Sequence, residues 1–69
     1  MNKYVIPICN IPDSNVFNIV ILARSTIQCQ EKIMEKYSDI VECDSWHEFV
    51  NAMDKKDILI GEITDIEEL

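Results

Sequence analysis

Two stretches near the start of the chain carry the hydrophobic pattern of β-strands. In Lys3-Tyr4-Val5-Ile6-Pro7-Ile8-Cys9, residues Tyr4, Ile6 and Ile8 share one side, since successive strand side chains point to opposite faces. Pro7 has no amide proton for a neighbouring strand, which predicts an edge position. Val16 to Ala23 is the strongest strand pattern, with Phe17, Ile19 and Ile21 on one side and Val20 and Leu22 on the other. Apolar character on both sides predicts a central strand. Between the two, Asn10-Ile11-Pro12-Asp13-Ser14-Asn15 is turn chemistry, so a hairpin with a loop of about six residues is predicted.

The period then changes from two to 3.6. Ser25-Thr26-Ile27-Gln28 fits a capping box, in which a serine hydroxyl and a side chain three residues on satisfy the free amides of a helix start. Ile27, Ile33, Met34 and Tyr37 fall in one arc, opposite Gln28, Lys32, Glu35 and Lys36, the signature of an amphipathic helix ending near Tyr37-Ser38. Gln30 lies inside the apolar arc, as a rim residue or a partner contact, and Cys29 lies on its flank. Ile40-Val41-Glu42-Cys43 reads as a short strand. Ser45-Trp46-His47-Glu48 is a second capping box, after which Trp46, Phe49, Val50 and Met53 share a helix face ending around Asp54-Asp57. Ile58 to Ile63 reads as a last strand, and Thr64 to Leu69 as a helical turn or a frayed tail.

The predicted order is ββαβαβ. It describes one small α/β domain over residues 1–69, on the boundary with α+β: a two-layer sandwich of a four-stranded mixed sheet and two helices. Helical crossovers favour parallel, right-handed connections, hence the mixed sheet. The expected core is Ile19, Ile21, Leu22, Ile33, Met34, Phe49, Val50, Ile58 and Ile60. Two helices on one side of such a sheet leave Val20, Leu22 and Leu59 on the other, and an exposed apolar patch of that kind marks an interface. A chain of 69 residues buries only about 60% of its unfolded surface and gains from a staple; a homodimer over this face would supply one.

Charge adds a direction. Residues 1–38 hold four cations and three carboxylates and residues 39–69 two cations and ten carboxylates, giving +1 and −8 and a total of −7. Phosphate contacts need cations, so direct nucleic-acid binding is disfavoured. A basic protein surface is the expected partner, with Glu42, Asp44, Glu48, Asp54, Asp57 and Glu62 as the candidate contact residues. No apolar run approaches the roughly 20 residues of a membrane helix, and no secretory leader is recognisable in Met1-Asn2-Lys3-Tyr4. Cys9, Cys29 and Cys43 are odd in number and irregularly spaced, which predicts free thiols in a reducing cytoplasm rather than a disulfide framework.

Cys43 and His47, four residues apart, together with Cys9 and Cys29, are the right atoms for zinc but lack its paired spacing; no metal, disulfide or cofactor is expected. The motifs of phosphate-binding loops, dinucleotide folds, serine hydrolases and zinc proteases are all missing. The leading expectation is a small acidic, non-enzymatic binding protein, an inhibitor or accessory factor. The Ile-, Lys- and Asn-leaning composition fits a bacterial or phage source. The alternative is a binder of a small anion or nucleotide. Helix N-termini favour anions, and this reading assigns Arg24, Ser25 and Thr26 from one helix start and Ser45, Trp46 and His47 from the other.

Overall fold

The computed structural model describes residues 1–66; the tail reading for Glu67, Glu68 and Leu69 lies outside them. Strand β1 (Asn2–Asn10) and strand β2 (Asn15–Ala23) form the hairpin, followed by helices α1 (Thr26–Lys36) and α2 (Trp46–Asp54) and short strands β3 (Ile58–Ile60) and β4 (Thr64–Asp65). Two helices on a four-stranded sheet bear out the two-layer α/β architecture, but the order is ββααββ.

The hairpin runs in unbroken antiparallel register from Asn2↔Ala23 to Asn10↔Asn15. Its loop is tighter than predicted, because Asn10 and Asn15 pair. Ser14 closes it at φ 51°, its amide donating to the Ile11 carbonyl at 3.0 Å. The Asn10 side chain accepts from the Asp13 amide at 3.3 Å, the local bond that makes asparagine a turn residue.

β1, not β2, is central: the strand order is β2-β1-β3, with β4 also on β1. Pro7 is compatible with this place because an antiparallel residue points its amide and carbonyl to one side only. The Pro7 carbonyl accepts from the Gly61 amide at 2.8 Å, so the missing proton faces the outer strand rather than β2. There the outer ladder breaks. Ile8↔Ile60 and Val5↔Thr64 bracket it, with three residues between the partners on the outer strand and two on β1. One extra residue on one strand is a bulge, and it divides the predicted strand Ile58–Ile63 into β3 and β4. Thr64 and Asp65, expected in the tail, complete the sheet.

The sheet is antiparallel throughout, against the mixed sheet expected. The helical crossover does return the chain in the direction of β2, since β2 and β3 both oppose β1. With β1 between them, no parallel neighbours result. The predicted strand at Ile40–Cys43 does not form: the amides of Ile40 and Val41 both turn back to the Tyr37 carbonyl at 3.0 Å.

Both helix starts are as the sequence predicts. The Ser25 hydroxyl accepts from the Gln28 amide and the Ser45 hydroxyl from the Glu48 amide, each at 3.2 Å. Gln28 closes its box one residue early, its side-chain oxygen accepting from the Arg24 amide at 2.7 Å. Ser45→Ala is expected to cost about 1 kcal/mol, the usual worth of such a cap, read as a lowered urea midpoint at unchanged slope.

The core lies between one sheet face and the helices. Tyr4, Ile6, Ile8, Ala23, Cys29, Ile33, Phe49 and Met53 are buried. Ile33 and Phe49 are as expected. Ile19, Ile21, Met34, Val50, Ile58 and Ile60 are half-buried around this centre, and Leu22 is exposed, because even-numbered β2 residues face away from the helices. The inward stripe of α1 is rotated from the expected arc: Cys29 is fully buried and Ile27 is exposed.

Candidate functional site

Two grooves open beside the helices. The first is lined by Thr26 and Gln30 of α1, Trp46 and Val50 of α2, and Ile60 to Ile63 at the bulge. Thr26 and Trp46 are the first residues of their helices, so the two helix starts do meet at one place. Arg24, Ser25, Ser45 and His47 do not line this groove; all four are exposed. His47 lies beside its own helix neighbour, with the Asn51 amide nitrogen 3.2 Å from Nε2. Trp46 packs against the core, stacked on Phe49 with ring centroids 5.4 Å apart, and also lines the groove. Gln30 is half-buried and lines this groove. Glu62 adds a carboxylate to the rim.

The second groove, of about 590 Å³, is lined by Met34, Glu35 and Ser38 from the end of α1, Val41 to Asp44 from the connection, and Glu48 from the first turn of α2. Three of the acidic residues singled out from the sequence, Glu42, Asp44 and Glu48, come together here. Asp54 and Asp57 lie beyond, at the far end of α2, and Glu62 belongs to the first groove. Glu35 joins the acidic set although the sequence places it in the nearly neutral half of the chain. Its signal was its position on the polar arc near the end of the first helix; what brought it in was the turn at Tyr37, which folds the connection back along that end. Met34, Val41 and Cys43 give the groove an apolar floor and pack against the core. No cation lines the groove, and among the described residues none of its four carboxylates makes an ion pair.

The three cysteines are free and occupy separate places. Cys9 is on the sheet face turned away from the helices, Cys29 is inside the core, and Cys43 is in the acidic groove. Among the described residues no group of three His, Cys, Asp or Glu side chains is arranged to hold a metal ion. Burial pushes the Cys29 thiol above its ordinary value of 9.0, with Lys32 pulling weakly the other way; burial likewise pushes the Tyr37 hydroxyl up. The unfolded thiol ionises first as pH rises, so the unfolded state then binds fewer protons and stability must fall. The stabilisation from a neutral Cys29 is complete below the ordinary thiol range and lost as pH climbs through the folded value. Urea midpoints should therefore drop on the alkaline side, and Cys29→Ala should flatten that drop.

No protein-family model, curated protein or solved structure matches this chain. No helix among the described residues is long and apolar enough to cross a membrane.

Proposed function

We propose that the chain is a non-enzymatic binding protein of the reducing cytoplasm, an inhibitor or accessory factor that takes up a basic segment of another protein in its acidic groove. The observation that carries this reading is the meeting of Glu35, Glu42, Asp44 and Glu48 around an apolar floor of Met34, Val41 and Cys43. Carboxylates without cationic neighbours raise the local concentration of a basic partner and steer its approach. The apolar floor adds contact area that a merely solvating acidic surface lacks. An anion or nucleotide is the weaker occupant: in the first groove Glu62 opposes it, and Arg24, the cation assigned to that reading, is not among the lining residues.

The test uses a lysine-rich amphipathic peptide, with its glutamate-substituted counterpart as control. The basic peptide should bind and shift the amide resonances of Glu35, Glu42, Asp44 and Glu48, and the acidic one should not. The triple variant Glu42→Gln, Asp44→Asn, Glu48→Gln should weaken binding by about tenfold, since three exposed charge pairs are each worth roughly 0.2–1 kcal/mol. Molar salt should abolish most of it. Equal affinity of the triple variant and the wild type would overturn the reading.

A further inference from the structure

Strand β2 pairs with β1 along its whole length, and among the described residues no strand pairs with its other side. The pairing with β1 decides which backbone groups are left over. The Pro7 carbonyl points to Gly61, so odd-numbered β1 residues face the outer strands and even-numbered ones face β2, where they meet Phe17, Ile19 and Ile21. Consecutive strand residues alternate, and the backbone groups of Val16, Asn18, Val20 and Leu22 therefore point out from the free edge. One end of that row is closed, because Nζ of Lys32 donates to the Leu22 carbonyl at 2.6 Å. So is the other, where the Ser14 amide donates to Ile11. Val16, Asn18 and Val20 stand between, and among the described residues their outward groups have no partner.

We propose that this edge takes β2 of a second copy, added antiparallel about a two-fold axis at Asn18. The free row is self-complementary. Pairing about Asn18 sets Val16 beside Val20 of the second copy and Asn18 beside its own equivalent, so that every outward group of the row is used. On the face away from the helices valine meets valine, and two exposed carboxamides, each donor and acceptor, meet one another. On the helix side Phe17 meets Ile19 of the second copy, both half-buried in a single copy. Charge selects the same arrangement. The register brings Leu22, with Lys32 on its carbonyl, opposite Ser14 of the second copy and next to Asp13, the one charge of the hairpin loop. The basic end of each β2 meets the acidic end of the other, twice by symmetry. In-register parallel pairing would instead set the two Lys32 ammonium groups side by side.

The two edges of the sheet differ in their protection. Natural edge strands are kept short, or carry charge, proline or a bulge. The outer edge has such devices: β3 and β4 are three and two residues long and are separated by the bulge. β2 spans nine residues, none of them charged or proline, in unbroken register. Lys32 guards only its Leu22 end, which excludes registers shifted that way and leaves open the one centred on Asn18.

Sedimentation equilibrium of the full chain at micromolar concentration should give twice the 8.0 kDa chain mass. Hydrogen exchange should protect the Asn18 and Val20 amides only as the dimer forms on raising the concentration, whereas those of Phe17, Ile19 and Ile21, bonded to β1, should be protected throughout. Lys32→Glu and Asp13→Lys each put like charges together at both ends of the interface. Each should leave the circular dichroism spectrum intact and raise the dimer dissociation constant by about tenfold, the order expected for two exposed pairs. Mixing the two variants should restore wild-type affinity, because the exchanged charges then oppose one another at both ends. Asn18→Pro removes an outward amide that a single copy leaves free, and should abolish the dimer while the chain stays folded. An 8.0 kDa species at every concentration, a dimer whose Asn18 and Val20 amides exchange freely, or a mixture of the two charge variants that associates no more tightly than either alone would each overturn the proposal.

Discussion

Phe49→Ala is expected to unfold this protein at ordinary temperature. Phe49 is fully buried and sits between Trp46, at 5.4 Å, and Tyr37, whose ring centroid is 6.2 Å away. It thereby joins α2 to the end of α1 and to the sheet. Removing a buried phenylalanine costs about 3–5 kcal/mol, from lost burial and the cavity left behind. A core of this size supplies roughly the same amount in total. Trp46 fluorescence in a urea titration reads the outcome directly, because its stacking partner is the residue removed. Phe49→Leu, which keeps most of the volume, should remain folded at a reduced midpoint. A cooperative Phe49→Ala transition at the wild-type midpoint would mean that the helices are not held through this side chain.

Gly61→Ala is expected to be the most damaging small substitution in the outer strand. A Cβ at position 61 would lie 2.4 Å from Cγ of Pro7 and 3.3 Å from its Cδ. The proline ring has little freedom to withdraw, and β1 is held on both sides. The bulge would have to move, breaking the Gly61–Pro7 hydrogen bond and pulling β4 from the sheet. Overpacking of this kind costs about 1–3 kcal/mol. Pro7→Ala should restore much of the loss in a Gly61→Ala background, and the double-mutant cycle should show strong coupling. Additive effects of the two substitutions would show that the close approach does not limit stability.

The two predictions differ in how far the sequence foretold them. Phe49 was legible, because Trp46, Phe49, Val50 and Met53 repeat at helical spacing directly after a capping box. Gly61 was not, because its role depends on a proline 54 positions earlier in the chain. The acidic site was legible in part. The surplus of carboxylates after residue 38 gave the sign of the surface, but neither the inclusion of Glu35 nor the exclusion of Asp54, Asp57 and Glu62 follows from composition. Those depend on where the Tyr37 turn directs the connection.

What the sequence by itself determined is local. Serine caps hold amides three residues on, alternation sets which β2 side chains share a face, and a 3.6-residue repeat marks the helices; each is an interaction within a few residues of its cause. Beyond the β1–β2 hairpin, which strand neighbours which was decided by tertiary structure. Pro7 forbids a hydrogen bond on one side of its strand, not on both. The sequence cannot say which side, and so an apparent edge strand became the centre of the sheet. Cys29 and Ile27 present the same kind of choice: either could face inward on a lone helix, and the angle at which α1 lies on the sheet buried the thiol. Ile40–Cys43 has the composition of a strand, but the amides of Ile40 and Val41 are taken up by the Tyr37 carbonyl at the end of α1, which holds the segment in a turn.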